Sequence, residues 1–84
     1  MIPKEKFERG IVWAGINQTM RMIDRKENID VVLIANDVEP REIIMPLENA
    51  VKENNIEHYF ATKSEIGKIA GCPRPASAAC VLKK

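Results

Sequence analysis

Val31-Val32-Leu33-Ile34-Ala35 is the most constraining stretch of this sequence. A continuously apolar, β-branched run with no alternation suits a strand covered on both faces, because successive side chains point to opposite sides and neither side here tolerates water. A chain with such a strand needs apolar cover above and below it, which calls for helices on both sides. With 84 residues, there is room for one domain and one core.

The flanking patterns supply that cover. Ile11-Val12-Trp13-Ala14, ended by Gly15, reads as a short first strand. Ile16, Met20 and Ile23 then recur at helical spacing, with Gly15 or Asn17 opening the helix and Arg25-Lys26-Glu27 closing it. After the apolar run, Asn36 to Pro40 reads as a turn, with a helical turn through Ile43 and Ile44. Pro46 opens a further helix through Leu47, Ala50 and Val51 that ends at Asn54-Asn55.

Ile56 to Phe60 is the next strand, Lys63 to Ala70 a helix with Ser64 as N-cap, and Gly71 its stop. A two-proline loop, Cys72-Pro73-Arg74-Pro75, leads to a small-residue strand from Ala76 to Leu82. The expected fold is α/β, a three-layer α-β-α sandwich around a four-stranded mixed sheet, in a single domain over 1–84.

Composition narrows the function classes. Thirteen Lys and Arg against twelve Asp and Glu leave a net +1, so no bulk charge declares a partner. The charge is unevenly placed: residues 37–57 carry two basic and six acidic groups, and residues 63–84 five basic and one acidic. If the fold sets that basic C-terminal segment beside cations of the first third, a near-neutral protein gains an anion-binding surface.

Cys72, Cys80 and the single histidine, His58, have no metal-ligand spacing, so neither a metal nor another cofactor is expected. No apolar run is long enough to span a bilayer, and no signal peptide is seen, so free thiols in the cytosol or nucleus are expected. There is no glycine-rich phosphate loop and no nucleophile beside a histidine motif, hence no enzyme is expected.

The helix after Gly15 is more informative. At about 100° per residue, Asn17, Gln18 and Arg21 share one quadrant while Ile16, Met20 and Ile23 point elsewhere. Asn, Gln and Arg can each satisfy two base-edge positions at once, so three of them at a helix start form a base-reading set. Pattern alone favours the plainer reading, an N-cap followed by a solvated face.

Gly15-Ile16-Asn17-Gln18-Thr19-Met20-Arg21 resembles the Gly-x-Asn-Glu/Gln-x-x-Lys/Arg motif of the ribosomal protein L7Ae family, whose L30e branch also has Gln. The family's Ala-x-Asp-x-x-Pro turn is similar to Ala35-Asn36-Asp37-Val38-Glu39-Pro40, and a third signature to Lys63 through Gly71. Three motifs in order, over nearly the whole chain, carry the resemblance.

The resemblance implies a kink-turn RNA-binding protein of a ribosome or other ribonucleoprotein. Structured RNA with a kink-turn is the implied partner, other ribonucleoprotein subunits are further ones, and no membrane or metal is among them. Localisation follows as cytoplasmic and ribosome-associated, or nuclear and nucleolar in a eukaryote. Asn17, Gln18 and Arg21 would read the edges of sheared G·A pairs, and Gly15 would let RNA backbone come close. Glu39, Ile43 and Lys63 would line a pocket for a splayed nucleotide, and the loop with Arg74, Pro75 and Ala76 would close over it.

Read without the family, Glu39 caps a helix, Ile43 is core and Lys63 is a solvated helix-start charge. Arg21 stands where Lys is common, Pro46 lies two positions before the family's usual proline, and the N-terminal helix is shortened to about Lys4–Arg9. The chain stops at Lys84, where many members continue into a further helix. The alternative reading is an RNA-independent protein-interaction scaffold subunit of the same fold.

Overall fold

The computed structural model describes residues 2–83. The elements in order are α1 (Lys4–Arg9), β1 (Ile11–Ala14), α2 (Ile16–Asp24), β2 (Ile29–Ala35), a 3-10 turn (Arg41–Ile43), α3 (Met45–Glu53), β3 (His58–Ala61), α4 (Lys63–Ile69) and β4 (Ala78–Leu82). The four strands form one sheet in the order β1-β4-β2-β3, with β4 antiparallel to both its neighbours and β3 parallel to β2. The sheet is therefore mixed, as expected.

The run Val31–Ala35 lies inside this sheet, and its alternate side chains feed two apolar clusters, one on each face, in place of the single core expected. Val32 and Ile34 pack with Met22, Ile23, Ile44, Leu47 and Val51 under α2 and α3. Val31, Leu33 and Ala35 pack with Phe7 and Ile66 under α1 and α4. Both faces are covered by helices, which is why no position of the run can be polar. The architecture is a three-layer α-β-α sandwich.

Element ends shift where the sequence signal is weak. β3 starts at His58 and β4 at Ala78, two residues later than expected at each, although the carbonyls of Glu57 and Ser77 still accept from the Val32 and Ala35 amides of β2. β2 starts earlier, at Ile29, with an irregular register between Ile29 and Val31. α2 ends at Asp24 with Arg25 as its C-cap and Lys26 turned to φ 57°, so Arg25-Lys26-Glu27 closes the helix as expected.

The N-cap of α4 is Thr62, not Ser64: the Glu65 amide donates to Thr62 Oγ1 at 3.2 Å, and Ser64 already lies inside the helix. Glu39 caps nothing, since no side chain caps the 3-10 turn that follows it.

Candidate RNA interface

The C-terminal ends of β1, β2 and β3 and the start of β4 lie at one end of the sheet. α2 follows β1 after one residue, and α4 follows β3 after one residue, so both helices begin at this end. Crevices outside the carboxyl ends of strands in open α/β sheets commonly receive ligands.

Gly15, with φ 103° and ψ 148°, makes the bend from β1 into α2, a conformation open essentially to glycine alone. Its amide donates to the Ala78 carbonyl at 2.7 Å, and the Thr19 amide donates to its carbonyl at 3.0 Å. Nothing lies within 4 Å of where its Cβ would stand. Space is therefore open beside the backbone, as an approaching nucleic-acid strand would need.

Because Gly15 is the N-cap, the Asn17 side chain has no capping duty. Asn17 and Arg21 are exposed and Gln18 is half-buried, while Thr19, Met22 and Ile23 are buried. Among the described residues, the side chains of Asn17, Gln18 and Arg21 make no hydrogen bond or ion pair, so their donors and acceptors remain available.

An open groove of about 820 Å³ runs between this helix start and the proline loop, with Gly15, Asn17 and Gln18 on one side, Arg74, Pro75 and Ala76 on the other, and Ile43 at its wall. Ile43 is 49% exposed and is not core. Its half-bare apolar side chain in a groove suits stacking or contact with a base. Glu39 and Lys63 are not part of this lining: Glu39 is exposed on the turn before Pro40, and Lys63 is half-buried at the first position of α4. The pocket expected from Glu39, Ile43 and Lys63 together is thus a groove to which Ile43 alone of the three contributes. Arg21 lies one turn further along α2, also outside the lining.

Three lining residues, Ala14, Ile16 and Ser77, carry no signal in the sequence, since small or apolar residues beside a turn also fit a plain connection. Cys72 and Pro73, already assigned to the loop, line the groove as well. Arg74 is exposed and forms no ion pair among the described residues.

A second concavity, of about 600 Å³, lies at the opposite end of the sheet. There Lys26 and Lys83 face Glu27, Asp30 and Glu57, a mixed lining with no excess of positive charge to attract phosphate. In the groove at Gly15 the charged lining is Arg74 alone, and Arg21 stands nearby on α2. Among the described residues, no cluster of three His, Cys, Asp or Glu could hold a metal ion. No described helix is long and apolar enough to cross a membrane.

A three-layer sandwich with an amide-bearing helix start facing a proline-rich loop defines a small α/β protein that presents an open groove at one end of its sheet. The chain belongs to the ribosomal protein L7Ae/L30e/S12e/Gadd45 family, whose sequence model matches residues 2–84. A large ribosomal subunit protein eL8 of Halobacterium salinarum is 40% identical over 76 residues, covering 89% of this chain and 62% of that protein. The eL8 protein of Haloquadratum walsbyi is 37% identical over the same coverage. The chain thus spans less than two thirds of the length of these relatives.

Among solved structures, a 15.5kD RNA-binding protein of Giardia lamblia superposes with a TM-score of 0.81 over 96% of this chain and 68% of that one. At 23% identity that likeness establishes the fold. This family of ribosomal proteins is a non-enzyme family.

Proposed function

We propose that this chain binds RNA as a ribosomal or other ribonucleoprotein component and that its particular target is a kink-turn, which it holds bent. The observation that carries this reading is the start of α2. Asn17 and Gln18 open onto the groove, Arg21 stands one turn on, and all three side chains are free of partners among the described residues. Amides and a guanidinium match the donor and acceptor pattern of purine edges exposed by sheared G·A pairs. Gly15 leaves room for the RNA backbone, Ile43 offers an apolar surface to a splayed base, and Arg74 reaches toward phosphate from the facing loop.

In this reading Lys63 acts from outside the groove, as a nearby cation at the start of α4, and Glu39 from the turn beside it. The RNA-binding name of the Giardia protein and the ribosomal names of the haloarchaeal relatives support the class of partner. A cytoplasmic, ribosome-associated location follows from it.

The deciding measurement is a pair of titrations at one salt concentration, on a kink-turn RNA and on a duplex in which the G·A pairs are made Watson–Crick. Gln18→Ala or Arg21→Ala should weaken kink-turn binding about ten-fold or more and leave weak duplex binding nearly unchanged. Equal affinity of the unaltered protein for both RNAs would sink the kink-turn reading and leave the scaffold alternative. Folded variants that still discriminate would sink the residue assignment.

A further inference from the structure

Asp37 is an acidic residue at the edge where phosphates are expected to approach, so its charge works against RNA binding. Its position has another use. The backbone amide of Lys63 donates to Asp37 Oδ1 at 2.9 Å, across 26 residues of sequence. On its other side, the Lys63 carbonyl accepts from the Ala76 amide at 3.1 Å. One backbone unit at the start of α4 therefore joins the turn that leads to Glu39 and Ile43 to the loop that carries Arg74.

The loop is also fitted to α4 one turn further on. Gly67 is buried, and a Cβ there would collide with the carbonyl oxygen of Arg74. The Cys72 amide donates to the Gly67 carbonyl at 2.8 Å. The loop rests on the helix backbone with no side chain between them.

We propose that Asp37 and Gly67 are positioning residues for the RNA groove: through Lys63 and α4 they set the separation between the Ile43 wall and the Arg74 loop. The proposal rests on the RNA-binding reading, but its first test does not use RNA. In the free protein, Asp37→Ala should shift the backbone NMR resonances of Ala76 and its loop neighbours, and Asp37→Asn, whose side-chain oxygen can still accept from Lys63, should largely restore them. Unmoved loop resonances in Asp37→Ala would overturn the linkage.

The second test uses the kink-turn RNA. Electrostatics alone predicts that both Asp37 variants bind tighter, since each removes a negative charge near phosphate. Positioning predicts that Asp37→Ala binds about three- to ten-fold more weakly, the scale of one lost hydrogen bond, while Asp37→Asn binds at least as well as the unaltered protein. Gly67→Ala keeps every hydrogen bond partner but displaces the same loop, and it too should weaken binding. It also keeps the question open to refutation if Asp37→Ala fails to fold.

Asp37→Ala binding as tightly as the unaltered protein, Asp37→Asn binding as weakly as Asp37→Ala, or a folded Gly67→Ala with full affinity would each overturn the proposal. Failure of the unaltered protein to prefer the kink-turn would fault the functional reading instead, and the resonances of the free protein would still decide the linkage.

Discussion

The hydroxyl of Thr19 donates to the carbonyl oxygen of Gly15 at 2.9 Å, and Thr19 is the one fully buried polar side chain among the described residues. The bond runs back along the first turn of α2 to the glycine that turns the chain into the helix. The Gly15 carbonyl also keeps its bond from the Thr19 amide, so this end of α2 is held twice. The base-reading candidates are thereby carried on a fixed helix start rather than on a loop.

Replacing Thr19 with Val keeps the shape and removes only the hydroxyl. It should cost about 0.5–1.5 kcal/mol of stability, the net worth of an ordinary hydrogen bond, because the Gly15 carbonyl retains one donor. Urea unfolding of the two proteins measures the difference, and a change near zero would mean that the hydroxyl contributes nothing there.

Gly15→Ala separates strain from recognition. No neighbour obstructs the added methyl, so the stability loss, about 1–3 kcal/mol, should come from the positive φ alone. Affinity for RNA should fall further than Thr19→Val affinity falls, since the methyl occupies the space left for the backbone. Calorimetric melting and RNA titration of both variants make the comparison.

Leu33 has no exposed surface and lies in the core under α1 and α4. Leu33→Ala should cost about 2–5 kcal/mol. A cooperative melt with an unchanged midpoint would contradict its burial.

Lys63→Ala and Arg74→Ala should each reduce the salt dependence of RNA binding by about one unit of log–log slope, as expected for one lost phosphate contact. Affinity measured across a salt series reads the slope directly. An unchanged slope in both would place these cations away from the RNA backbone.

The two free thiols should behave differently. Burial pushes the Cys80 pKa up, and the neighbouring Thr19 side chain and Trp13 backbone only partly oppose it. The thiolate is the reactive form, so iodoacetamide should label half-buried Cys72 well before Cys80 in the folded protein. A raised folded pKa also favours the native state while the thiol is neutral. That contribution is full below the ordinary thiol pKa and is lost as pH rises through the raised value. Cys80→Ala should therefore show a flatter decline in stability at alkaline pH than the unaltered protein, followed by unfolding at several pH values.

Much of this molecule was legible in the sequence because its strongest signals are local. The run Val31–Ala35 required cover on both faces, and α1, α2, α3 and α4 supply it. The spacing of Ile16, Met20 and Ile23 placed Asn17 and Arg21 on the outer side of α2, where they stand. Periodicity and turn chemistry act between near neighbours, so they survive reading one residue at a time.

The tertiary structure alone decided which distant pieces meet. The strand order puts β4 between β1 and β2, bringing the Arg74 loop opposite Gly15. The bond from the Lys63 amide to Asp37 also arises only when the turn after β2 and the start of α4 are folded against the same sheet end. Such contacts pair residues tens of positions apart. Their geometry depends on how whole elements pack, and no local spacing encodes it.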